Sequence, residues 1–357
     1  MNAYLSVSVL IAFNGLLLTI PVIPAIVELY RKSDAQPLLV IQKHGGEIRH
    51  FSEGFRKYID ELKPTLKECR RSGATARGRL KDNAEYFVMG KPSATSLREV
   101  RKHDGDCSTV IVAGGDFETP GISNFSKEIY VQGNFQGGNF NHYRAILGEK
   151  DVELGAYSSV ARWIHAVGVF SASYHCALSG RVSSDSAIKL KRKCTFLRLN
   201  APRIQLGASS IELPQNDPAV PDSGKSSVAL KRYLYDQDFE VQAGQIFHGN
   251  IVTRGKLRVH QGARIFGSLK SNKQMVLEKG VLVTGSVISA SQLYIGPGCC
   301  IHGPIIAEHA LHIDIGVRLG TPAKLATVSS PKILAKEGVV VFGSLWAREY
   351  GEVADKA

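Results

Sequence analysis

The chain has 357 residues, of which 44% are hydrophobic and 21% charged, and it carries a formal net charge of +12. That size and composition exclude a wholly disordered chain and allow one or two domains with a core. The basic residues are dispersed, with short runs such as Lys189, Lys191, Arg192 and Lys193. This spread reads as a solvated surface rather than a nucleic-acid site.

Residues 5–29 are almost entirely apolar, and no charge precedes Glu28. The run includes Leu10, Ile11, Phe13, Leu16, Leu17, Leu18, Ile20, Val22 and Ile23. It is long enough to cross a bilayer core, and Pro21 and Pro24 are tolerable in a membrane helix. The chain start has no basic residue and no small-residue cleavage site follows, so an anchor over residues 1–30 is expected rather than a cleaved signal. Arg31 and Lys32 directly after it place the body in the cytoplasm by the positive-inside rule.

Between Glu47 and Cys69 the apolar residues Ile48, Phe51, Phe55, Tyr58, Ile59, Leu62 and Leu66 recur at intervals of three and four. This is the stripe of an amphipathic helix that Pro64 should bend or end. The stripe can pack on the body, pair with a copy of itself or lie on a membrane surface. Residues 70–106, rich in Lys, Arg, Ser and Gly, read as an irregular linker, so 31–106 is expected to be helix plus linker.

From Phe239 the chain repeats itself every 18 residues: Leu257, Met275, Leu293 and Leu311; Val259, Leu277, Ile295 and Ile313; Gly262, Gly280, Gly298 and Gly316; Ile251, Leu269, Val287 and Ile305. Repeats in register mean stacked supersecondary units. Within a unit the apolar residues alternate at two, as in Leu257 and Val259, which is the strand period. The pairs start six residues apart and glycines lie between them. The chain is therefore expected to be all-β, a triangular parallel β-helix with three short strands in each coil.

The same template fits Val152 to Phe196, but 69 residues separate Ile188 from Leu257, so the two halves are out of phase. The expected layout is a first block over 107–206, an exposed Pro- and Ser-rich loop over 207–236, a second block over 237–347 and a polar tail over 348–357. Residues 107–148 read as strands without a phase. After Gly316 the template resumes at Ile333 with four extra residues. Cys176, Cys194 and Cys299 occupy the slot held elsewhere by Ala263, Val281 and Val317, where a small inward residue is wanted. No CxxC pair, phosphate-cradling loop or HExxH motif occurs, and no cofactor is expected. His302, the position of Phe266 and Thr284 in sister coils, reads as an outward surface residue.

A coil of 18 residues also suits hexapeptide-repeat acyltransferases, but two of the three faces carry residues too large for their left-handed corner, such as Leu257 and Leu269. The repeat from Phe239 to Trp346 more closely resembles the bactofilins, polymer-forming cytoskeletal proteins of bacteria. That resemblance implies a right-handed β-helix and a membrane-associated, non-enzymatic scaffold at the inner membrane. It further implies assembly with copies of itself through β-helix ends and recruitment of cell-envelope or polysaccharide-synthesis proteins. Two blocks and a long loop depart from a single-block filament former. The last coil, with Val339, Val341, Phe342, Leu345 and Trp346, is the expected contact between copies, since a solenoid end exposes strand edges. The alternative is a cap formed by Trp346 and Tyr350. A monomeric adaptor of a membrane synthase complex differs from this scaffold only in self-association.

Overall fold

The computed structural model describes residues 9, 13–15, 20–23, 49–207 and 230–355. The chain divides into two compact units, residues 1–47 and 48–357. Of the first unit the described residues include a 3₁₀ turn, Ile20–Val22. Among the described residues no helix is long and apolar enough to cross a membrane. Leu10, Ile11, Leu16, Leu17 and Leu18 lie outside the described residues, so the expected anchor falls largely there. Phe13, Ile20, Val22 and Ile23 are described, each about half exposed.

The second unit is a β-solenoid of about 13 turns with ~18 residues per turn. Its logic is clearest in the second block. Leu257 pairs in parallel with Met275, Met275 with Leu293 and Leu293 with Leu311, so each column of the repeat is a ladder of hydrogen-bonded neighbours. Every inward residue of these ladders is 0–2% exposed. Burying one such side chain contributes roughly 1.5–3 kcal/mol, and the stack repeats that gain coil by coil. The four-residue insertion is real, since Leu311 pairs with Ile333. Inward Ser271 and Ser289 carry no orphan hydroxyl. Ser271 Oγ donates to Gly255 O at 2.9 Å and Ser289 Oγ to Lys273 O at 2.9 Å, tying each corner to the coil beneath.

The first block has the same plan with an aromatic core: Phe87, Phe117, Phe125, Phe135, Phe170 and Phe196 are fully buried. Its columns also assign a phase to residues 107–148. Ile111 pairs with Ile129, Ile129 with Ile146 and Ile146 with Ile164. Buried Tyr143 bonds Thr119 Oγ1 and Asn141 Nδ2, each at 2.8 Å, and burial pushes its hydroxyl pKa up to about 12. Cys176, Cys194 and Cys299 are buried and free, as a packing role requires, and burial raises the Cys299 thiol to about 12. His302 is only 9% exposed, not the surface residue its sister positions suggested.

Residues 70–106 are not a linker. Glu85–Met89 pairs in parallel with Val110–Ala113 and in antiparallel with Thr75–Arg79, so the first coil begins here. The amphipathic stripe becomes two helices, α1 (His50–Tyr58) and α2 (Lys63–Ser72), broken by a 3₁₀ turn at Asp60–Leu62 just before Pro64. Phe55, Ile59, Leu62 and Leu66 pack on the outward residues Val88, Val110, Val112, Tyr130 and Trp163. One sheet face is thus apolar on both sides, which is why Val110–Ala113 reads as a continuous run rather than an alternation.

The second block starts earlier than the repeat suggested. Arg232–Tyr235, placed in the expected loop, pairs with Asn250–Thr253. The rest of that loop, residues 208–229, lies outside the described residues. The expected tail is mostly strand, because the last strand runs over Val339–Ala354.

Candidate functional site: the ends of the solenoid

A stacked coil satisfies its strand edges only through its neighbours, so the two ends of each block decide what the molecule can bind. The last coils of both blocks meet each other. Thr195–Leu206 pairs in antiparallel with Val339–Ala354, bringing Leu199 to Leu345, Ile204 to Val341 and Leu206 to Val339. Val339, Val341 and Leu345 are 0% exposed, Phe342 is half-buried and Trp346 is 40% exposed. Asn200 Nδ2 donates to Ser344 Oγ at 2.8 Å, and Lys193 reaches Glu352 and Asp355 at 3.4 and 3.0 Å. The Arg198 guanidinium lies 4.6 Å from the Trp346 ring centre. The five residues expected at a contact between copies therefore form a seam within the chain. Trp346 and Tyr350 do not fold over a free end. The seam had no periodic signature, because it is an antiparallel pairing between distant segments.

The seam leaves two outer ends, and both are first coils. In the first block, helix α3 (Ala94–Arg98) takes the place of one strand of the first coil. Ser93 caps it by accepting from Ser96 N at 3.1 Å. Leu97 is 1% exposed in the core cluster that holds Phe87, Met89 and Cys107. The hairpin strand Thr75–Arg79 covers the edge of Glu85–Met89. A helix and a hairpin close that end.

The first coil of the second block is built differently. Arg232–Tyr235, Phe239–Val241 and Ile246–His248 each pair on one side only among the described residues. Its inward positions hold half-buried aromatics: Tyr233, Phe239 and Phe247 where the next coil holds Ile251, Leu257 and Ile265, and Tyr235 where it holds Thr253. Tyr235 stacks on Phe239 at 3.6 Å and Tyr233 meets Phe247 edge-on at 5.0 Å. Leu230, Leu234 and Ile246 are 50–58% exposed beside them. Three edges unpaired among the described residues, around an aromatic floor, have the composition of an interface core.

A polar cluster missed by sequence reasoning lies under α1. His165 Nδ1 is 2.9 Å from Ser183 Oγ, and its Nε2 is 3.8 Å from Asp185. Burial depresses the His165 pKa, with Asp185 acting against it and Arg56 and Arg49 with it. The set has the residue types of a nucleophile, base and carboxylate. His165 and Ser183 are only 2% and 4% exposed, however, and Asp185 is held by Arg49 at 2.7 Å. No substrate can reach the hydroxyl, and the cluster is a buried clasp for the helix. Among the described residues no group of three or more His, Cys, Asp or Glu side chains is arranged to hold a metal ion. No protein-family model, curated protein or solved structure matches the chain.

Proposed function

We propose that the protein is a non-enzymatic scaffold that associates with a second copy of itself through the first coil of its second block. The coil is a right-handed triangular prism in this reading. The apolar segment near the start of the chain holds the body on the cytoplasmic side of a bacterial inner membrane. The partners are a second copy, the membrane and a cell-envelope or polysaccharide-synthesis protein, as the likeness to bactofilins implies. One observation carries the reading: three strand edges, unpaired among the described residues, surround a half-buried aromatic layer. A seam between the last coils and a capped first coil leave one such end per chain, which favours a closed pair over a filament.

The test is analytical ultracentrifugation of the full chain in detergent, with Leu234→Lys and Ile246→Lys as variants. Both side chains are more than half exposed, so the fold tolerates them, and edge lysines disfavour strand pairing. A wild-type dimer that both variants dissociate supports the scaffold. A monomer at every concentration ends the self-association reading and favours the monomeric adaptor.

A further inference from the structure

Between helix α1 and the outer face of the first block lies a cleft of about 380 Å³. That volume falls in the range of small-molecule sites. Phe51, Phe55 and Tyr58 line it from the helix, and Val110 and Trp163 from the sheet. Five charged side chains complete the wall: Asp82, Glu128, Lys127, Arg144 and Arg162. Both acids are engaged in hydrogen bonds. Glu128 binds Arg144 Nε at 2.8 Å, and Asp82 accepts from the Tyr58 hydroxyl at 2.8 Å. Lys127 and Arg162 make no ion pair or side-chain hydrogen bond among the described residues. Asp82 keeps its charge and faces Lys127, so the five side chains leave a net charge of +1 over an aromatic wall.

The backbone places these two cations. Register breaks between Phe125 and Glu128 and between Val160 and Trp163 both face Arg144, because His142–Gly148 is one residue short at this corner, and Lys127 and Arg162 flank it. Such irregularities re-aim side chains and gather beside binding sites. The helix supplies a second, independent sign. Gly54 lies in the middle of α1 and lines the cleft, and a Cβ built there would meet nothing within 4 Å. Mid-helix glycine costs about 1 kcal/mol against alanine. No packing contact requires glycine here; its lack of a side chain keeps the cleft open.

We propose that this cleft binds a small organic anion with a flat apolar body. The ring or chain would lie against Phe51, Phe55 and Trp163, and the anionic group between Lys127 and Arg162. The site is independent of self-association, because it lies on the side of the first block and not at an end.

The probe is 1-naphthyl phosphate, titrated by equilibrium dialysis against the full chain in detergent, with inorganic phosphate and 1-naphthol as partial ligands. One saturable site per chain is expected for naphthyl phosphate, with at least ~10-fold weaker binding of either partial ligand, since each lacks one half of the recognition. Lys127→Ala and Arg162→Ala should each weaken binding about 10-fold. Gly54→Leu should abolish it while keeping or raising the thermal midpoint, because leucine fills the cleft and favours the helix. Absence of a saturable site, equal binding of naphthol, or binding that survives Gly54→Leu would overturn the proposal.

Discussion

The two blocks turn the same corner with different residues. In the second block the corner is glycine: Gly244, Gly262, Gly280, Gly298 and Gly316, with φ from +65° to +70°. In the first block it is Ile122, Phe140, Tyr157, His175 and Lys193, with φ from +54° to +61°. The positions are equivalent, because all but the last of each series donate the N–H to a carbonyl one coil on, as Gly262 does to Lys279 and Tyr157 to Tyr174. Stacking geometry therefore demands a left-handed residue whatever the sequence offers. Such a conformation costs an L-residue roughly 1–2 kcal/mol. Part of that cost is offset by a ladder of rings. Phe140 stacks on Tyr157 at 5.0 Å, and Tyr157 on His175 at 4.7 Å, both nearly parallel. One block is regular because glycine costs nothing in that conformation, and the other accepts strain and gains exposed, stacked side chains.

The largest test breaks the junction that makes the blocks one stack. Leu345→Asp puts a carboxylate opposite Leu199 where the wild-type residue is 0% exposed. The expected loss is about 3–5 kcal/mol, the scale for an unpaired buried charge. Calorimetry should then resolve two transitions, one for each block. A single transition with an unchanged midpoint would mean that the seam does not couple them. Phe342→Arg is the control, because that side chain is only half-buried and should cost far less.

Acid should act on the blocks with opposite signs. His165 in the first block has its pKa lowered by burial against Asp185, with Arg56, Arg49 and Glu149 also facing it. Its unfolded form binds the proton more readily, so stability falls as pH drops through the unfolded value of about 6.5. His260 in the second block is raised, chiefly by Glu240 at 3.0 Å and then by Glu278. Its contribution is present below about pH 6.5 and fades as pH rises through the folded value. Hydrogen exchange at pH 7.5 and 5.5, corrected for intrinsic rates, should show the first block loosening on acidification. His165→Gln should remove that loosening, and its persistence in the variant would assign the effect elsewhere. The second block should tighten slightly, and only slightly, because His260 and Glu240 keep 26% and 56% of their side-chain surface in water, which screens the pair.

The difference between the blocks also decides what could be read from sequence. Leu257, Met275, Leu293 and Leu311 keep one spacing, so coil length and inward columns were legible before any coordinates. In the first block Ile129 pairs with Ile146 and Phe135 with Val152, steps of 17. Coils one residue short erase a fixed period, and bulky corner residues hide the glycine column. The first coil was read as linker because α3 replaces one of its strands. The helix stripe was legible, since Phe55, Ile59, Leu62 and Leu66 all face the sheet. The cations of the cleft were not, because Lys127 and Arg162 flank a strand one residue short, which no spacing rule marks. The seam was illegible for a similar reason: pairing between Leu199 and Leu345 follows from where two stacks end, not from a local pattern.

A single substitution at the second block's corner measures the strain directly. At Gly262 a Cβ would meet nothing within 4 Å, so Gly262→Ala adds conformational strain and no clash. It should cost about 1 kcal/mol in urea denaturation. A loss near zero would mean that the corner relaxes, and the strain assigned to the first block would be relaxed too.

The smallest expected effect is the most informative about the exposed ladder. At Tyr157 the same corner can be emptied in two ways. Tyr157→Ala keeps the left-handed strain and loses both ring contacts, at 5.0 and 4.7 Å. Tyr157→Gly loses the same contacts but relieves the strain. The two variants should differ by about 1 kcal/mol in favour of glycine, the same interval as between Gly262 and its alanine variant. Exposed aromatic stacking contributes about 0.5–1.5 kcal/mol, so Tyr157→Gly should lie close to wild type. If it is instead more stable by the full ~1 kcal/mol, the stack contributes nothing to folding. The strained rings of Phe140, Tyr157 and His175 would then serve no purpose inside the chain, and contact with something outside it would be the physical reason left for them.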